Sequence, residues 1–124
     1  MKKYFIMLAM LFAMNVSVFA EDNNSSEIEI VKRYDIQVNT KKLGECLNLT
    51  TDQYDAVGTI VNELSNDLLF AAVECSNSSR DMVTKNAIDK NIKNMSYILN
   101  QEQYRKYLMV LNATVRNRNI NVIE

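Results

Sequence analysis

The sequence has no histidine, no tryptophan and no proline, and only two glycines and two cysteines in 124 residues. Without histidine there is no imidazole to ligate a metal or to titrate near neutral pH. Without proline, and with so little glycine, the chain has few points at which a helix is obliged to stop. Two glycines cannot build a Gly-rich phosphate loop, and no nucleophile–base pair or metal-ligand spacing is present. A catalytic role, a cofactor and a bound metal are therefore not expected. Charge of one sign is scarce as well: 14 basic residues stand against 15 acidic ones, a net of −1. Nucleic acid and anionic membrane are not expected partners, because both require clustered Lys and Arg.

The apolar residues at the start form one block. Lys2 and Lys3 precede an almost unbroken apolar run over 4–14, and the small residues Val18 and Ala20 sit three and one positions before Glu21. That is the pattern of an export signal with cleavage after Ala20. The run is well short of the roughly 20 residues that span a bilayer. Cleavage takes two lysines from the 14 basic residues, leaving 12 against 15 acidic ones. The expected location is the periplasm or outside the cell, with no membrane anchor once the signal is gone.

Along the remaining chain the hydrophobic period changes twice. Residues 21–27 are polar and read as a flexible tail. Over 28–38, Ile28, Ile30, Tyr34, Ile36 and Val38 share one parity, which predicts a short strand although Val31 and Lys32 break the alternation. Ile120 and Val122 suggest a second short strand over 119–123. Between them the period is helical. Thr40 can cap a short helix carrying Leu43, Cys46 and Leu47. From Thr50 to about Cys75, Tyr54, Val57, Val61, Leu64, Leu68, Ala71 and Cys75 follow a 3-4 spacing that predicts a long amphipathic helix. Asn77, Ser78 and Ser79 can cap a third helix with Ile88, Ile92, Met95 and Leu99 on one stripe. A fourth, from Asn100, uses Tyr104, Leu108, Leu111 and Val115. The expectation is a single, mainly α domain over 28–124: an antiparallel bundle or hairpin of about four helices, with short strands at its ends.

An internal repeat is the most informative feature. Leu49-Thr50-Thr51-Asp52-Gln53-Tyr54 recurs 50 positions later as Leu99-Asn100-Gln101-Glu102-Gln103-Tyr104. Each copy reads as a helix start. Thr50 and Asn100 can cap free backbone N–H groups, while Gln53 and Gln103 can reach back to the cap residue. Leu49 with Tyr54, and Leu99 with Tyr104, have the spacing of a hydrophobic staple. Asp52 and Glu102 place negative charge in the first turn, where the helix dipole favours it.

The Leu49-Thr50-x-x-Gln53 pattern and its second copy resemble the doubled LTxxQ motif of the Spy-like small periplasmic stress proteins, with Asn100 standing where that family has Thr. The resemblance covers roughly residues 40–118. It implies an exported, all-helical protein that forms an antiparallel, cradle-shaped homodimer, and a role as an ATP-independent chaperone or an envelope-stress protein. The expected partner is then a protein client. The terminal strands leave a rival reading open, a structural or assembly protein that pairs by strand with a partner or sister chain.

The stretch over 68–73 is apolar around the whole helix, so Phe70 and Val73 point away from the 3-4 seam. Either the leading strand or the first helix covers them, or they form a partner or client surface. Met109 and Val110, also off their seam, are a second candidate surface beside Tyr104 and Tyr107. Asp52, Asp55, Glu63 and Asp67 read as a solvated helix face. Cys46 and Cys75 bracket the long helix at ends roughly 35 Å apart, too far for a bond within one chain. They are expected to be buried thiols or to pair between chains.

Overall fold

The 3-4 seam through the middle of the sequence becomes the longest helix of the molecule. The structure, a computed structural model, describes residues 25–120. It contains α1 (Ser25–Tyr34), α2 (Thr40–Leu47), α3 (Thr51–Glu74), α4 (Asn77–Ile98) and α5 (Gln101–Asn117). Among the described residues there is no strand. No helix among them is long and apolar enough to cross a membrane. The export signal expected over 1–20 lies outside the described residues.

α3 buries Val57, Val61, Leu64, Leu68, Ala71 and Ala72. Burying a Val or Leu side chain is worth about 1.5–3 kcal/mol, which makes this face the main apolar contribution to the core. α3 and α4 pack along their lengths as an antiparallel hairpin, and α1 lies against α3. α2 and α5 complete the core through Leu43, Leu47, Tyr107, Val110 and Leu111. The C-terminus of α2 and the N-terminus of α3 therefore share one end of the hairpin with the α4–α5 junction.

The leading segment departs from expectation. Residues 28–34 are helical and 35–39 form a link without regular secondary structure, opened by a tight turn in which the Ile36 amide donates to the Tyr34 carbonyl at 3.0 Å. The two interruptions of the alternating pattern explain why. Ile30, Val31 and Tyr34 lie at i, i+1 and i+4, one helical face, and all three pack against or within the core. Residues 25–27, expected in a flexible tail, begin α1. The link is tied to α3 by a hydrogen bond from the Ser65 hydroxyl to the Ile36 carbonyl, 2.9 Å. At the other end, Asn119 and Ile120 close α5 rather than start a strand; 121–123 lie outside the described residues.

Both closures use asparagine in the left-handed conformation. Asn48 has φ 61° and Asn119 has φ 54°. In each, the following amide reaches back five residues, Leu49 to Gly44 and Ile120 to Val115. Asparagine tolerates this conformation better than other non-glycine residues, so α2 and α5 end without glycine. Two expected caps shift by a residue. Asn39, not Thr40, caps α2 through its side-chain oxygen and the Lys42 amide, and Ser76 precedes α4 without a side-chain cap bond.

α5 keeps its expected span but is rotated. Its buried residues are Gln103, Tyr107, Val110, Leu111 and Thr114, whereas Tyr104, Leu108 and Val115 are only half-buried. Gln103 sets the phase: once its amide is drawn inward, positions 107, 110 and 114 follow it at helical spacing.

Candidate functional site

The two repeat copies fold as expected locally and then meet. In the first, Thr50 Oγ1 accepts from the Gln53 amide at 3.2 Å, and Gln53 Oε1 accepts from the Thr50 amide at 2.9 Å. In the second, the Asn100 side chain accepts from the Gln103 amide at 2.8 Å, and Gln103 Oε1 accepts from the Asn100 amide at 2.9 Å. The two glutamine side chains then bond each other reciprocally. Gln53 Nε2 donates to Gln103 Oε1 at 2.8 Å, and Gln103 Nε2 donates to Gln53 Oε1 at 3.1 Å.

The remaining amide protons tie each junction to the other. Gln53 Nε2 also donates to the Ile98 carbonyl, 3.0 Å. Gln103 Nε2 reaches the Leu47 and Asn48 carbonyls, 3.2 Å each. Ile98 and Asn48 hold equivalent places in the two copies, two residues before the cap, so the arrangement has an approximate two-fold relation. Every donor of both amides is used, and each amide oxygen accepts twice. Only an amide can do this, because a carboxylate has no proton for the carbonyls. Leu99 is buried in the core, Leu49 and Tyr104 pack against it, and Tyr54 is half-buried. Tyr54 also fixes α2: a Cβ on Gly44 would stand 2.7 Å from Tyr54 Cε2. The clamp is a built polar centre, but its atoms are all engaged with protein. Its role is to hold two helix junctions together.

The opposite end of the hairpin is organised differently. Phe70 and Val73 are 54% and 58% exposed, so neither α1 nor α2 covers them. Met109 is also exposed, but Val110 is fully buried and cannot belong to a surface; the rotation of α5 turns it into the core. Tyr107, named beside it, is buried too, with its hydroxyl donating to Asn91 Oδ1 at 2.6 Å. Met82 and Tyr97 are exposed residues that the sequence reading did not single out. Both lie off the Ile88–Met95 stripe, which was the available signal.

Phe70 borders a shallow groove of about 300 Å³ between α3 and α4, with Val83, Asn86, Ala87, Asp67 and Lys90 as the other walls. Lys90 Nζ bridges to Asp67 at 3.0 Å and Glu63 at 3.8 Å. The hydrogen bond and charge of Asp67, with a smaller part from Glu63, hold the Lys90 ammonium above the usual lysine range. Arg80 is spent on the end of α3, donating to the carbonyls of Ala71 at 3.0 Å and Cys75 at 2.9 Å and to Asn77 Oδ1. Its guanidinium satisfies carbonyls that a helix end leaves free.

Cys46 and Cys75 are free and half-buried, at opposite ends of α3. Burial pushes the Cys46 thiol up, against the opposing charge of Lys106; such a thiol is a poor nucleophile. Among the described residues no group of three Cys, Asp or Glu side chains could hold a metal ion. The arrangement thus offers apolar contact with charged flanks at one end and a closed polar clamp at the other. Comparison with known proteins adds no relative: no family model, no curated protein and no solved structure matches the chain.

Proposed function

We propose that this is an exported helical binding protein that holds apolar segments of partly unfolded protein clients on the α3–α4 face, without nucleotide. The observation that carries the reading is the exposure of Phe70, Val73 and Met82 at one end of the hairpin, beside a groove walled by Val83 and Ala87. Large apolar side chains grouped on adjoining helices are characteristic of interaction surfaces. The doubled cap motif supports the same reading through its resemblance to the Spy-like chaperones, and the pattern over 1–20 supports a periplasmic or secreted location. The homodimer implied by that resemblance belongs to the proposal.

The test is suppression of aggregation of an unrelated denatured protein by the purified chain, compared with its Phe70→Ser/Val73→Ser variant. Suppression by the parent and its loss in a variant that still unfolds at the parental temperature is the expected result. No suppression by the parent, or full suppression by the variant, would refute the reading.

A further inference from the structure

α3 carries Asp52, Asp55, Glu63, Asp67 and Glu74 over its 24 residues, with no Lys or Arg. Three of those acids share a face with the exposed aromatic ring. Glu63, Asp67, Phe70 and Glu74 follow one another at spacings of four, three and four, a single helical stripe. Asp67 is a wall of the apolar groove, Glu63 reaches Lys90 beside it, and Glu74 continues the same stripe one turn beyond Phe70. The cations of α4 nearby are largely committed: Arg80 caps the carbonyl end of α3, and Lys85 pairs with Asp89 at 2.7 Å. Lys90 is the group that answers Asp67 and Glu63, and it does so from a position about half exposed. Exposed pairs of this kind are weak and readily exchanged for another cation.

We infer that the groove at Phe70 selects apolar segments flanked by lysine or arginine, the apolar side chain seating against Phe70, Val83 and Ala87 while the flanking cation displaces Lys90 from Asp67 and Glu63 or pairs with Glu74. This rests on the client-holding reading and names the chemistry of the client. It follows from charge complementarity: a neutral segment would gain only the apolar contact, and an acidic one would meet three carboxylates of like charge. Each exposed ion pair multiplies affinity by roughly 1.5- to 5-fold. Because pairs with Asp67 and Glu63 replace those of Lys90, the net gain is about that of one pair, roughly 1.5- to 5-fold, strongest at low ionic strength where charges are least screened.

The experiment uses the purified chain and three fluorescent peptides with one apolar core, flanked by lysine, serine or glutamate. Expected is the order lysine, serine, glutamate, with the lysine-flanked peptide roughly 1.5- to 5-fold tighter than the serine-flanked one at low salt and the gap narrowing as salt rises. Glu63→Gln/Asp67→Asn/Glu74→Gln should erase the order, bringing the three affinities together. Lys90→Ala should tighten lysine-flanked binding by vacating both carboxylates. Equal affinities, or a preference for the glutamate flank, would overturn the inference. If suppression of aggregation still depends on Phe70 in that case, the client-holding reading survives alone; if no peptide binds and nothing is suppressed, both fall. A concentration-dependent dimer dispersed by Phe70→Ser/Val73→Ser, with no peptide bound, would overturn the inference in favour of a second copy as the occupant.

Discussion

The α3–α4 hairpin has two ends built on opposite principles. At one, Gln53 and Gln103 close a polar network in which every amide proton is used. At the other, Ser76 precedes α4 without a side-chain cap bond, Arg80 donates to the carbonyls at the end of α3, and Phe70 and Val73 face outward. A buried polar group is costly unless fully satisfied, so the clamp end tolerates almost no change. An exposed apolar group costs the fold little, so the open end can be altered freely. The closed polar network lies where the repeat is, and the exposed Phe70 and Val73 lie at the end without it.

The largest effect should come from breaking the clamp. Gln103→Glu removes the donors to Leu47, Asn48 and Gln53 and places a carboxylate against their oxygens, at a site only 7% exposed. Denaturant unfolding at pH 7 should show a loss of about 3 kcal/mol or more, the scale of an uncompensated buried charge. The loss should shrink near pH 4, where the protonated acid can donate again. Equal losses at both pH values would refute the account of the amide as a donor.

Next comes the buried pair between the two ends. Tyr107→Phe leaves Asn91 Oδ1 without its donor and should cost about 1–3 kcal/mol. Burial pushes the Tyr107 phenol well above its ordinary value of 10.0, with the Asn91 hydrogen bond opposing. The Cys46 thiol is likewise raised above 9.0. For both groups the folded protein holds the proton more tightly than the unfolded chain. Their stabilising effect is therefore complete below the ordinary values and is lost as pH rises beyond them. Unfolding free energies measured from pH 8 upward should fall through this window, and the slope should be shallower in Tyr107→Phe.

Smaller still are the caps. Thr50→Ala and Asn100→Ala should each cost about 1 kcal/mol, read as a lowered melting temperature; unchanged midpoints in both would remove the capping boxes from the account. The smallest effect on stability belongs to the open end. Phe70→Ser/Val73→Ser should shift unfolding by less than about 0.5 kcal/mol per site, the range of ordinary surface changes. A drop of several kcal/mol would mean that these side chains are buried in the protein as it exists in solution, and the contrast between the ends would collapse.

The caps of the two repeat copies and the long α3 with its seam were legible because each depends on neighbours within one or two turns. Thr50 and Gln53 are three positions apart, and their mutual bonds need nothing else. The leading segment was misread for a related reason. With two interruptions, its alternation fits either period, and packing of Ile30, Val31 and Tyr34 on the core decides for the helix. The phase of α5 was not legible either. Leu108 and Val115 suit a seam as well as Val110 and Thr114 do, until Gln103 is pinned by a partner 50 positions away.

The sequence by itself determined where α3 and α5 begin and that these two beginnings are alike, because capping is written in the order of adjacent residues. It determined too that Phe70 and Val73 leave the seam, since 100° per residue fixes their direction on the helix. Only the tertiary structure decided that the described residues leave both more than half exposed, that Val110 is core, and why the motif carries glutamine. A capping box by itself accepts Glu or Gln. The choice of Gln is imposed by the carbonyls of the opposite junction, which need donors, and that demand exists only once the two junctions have met.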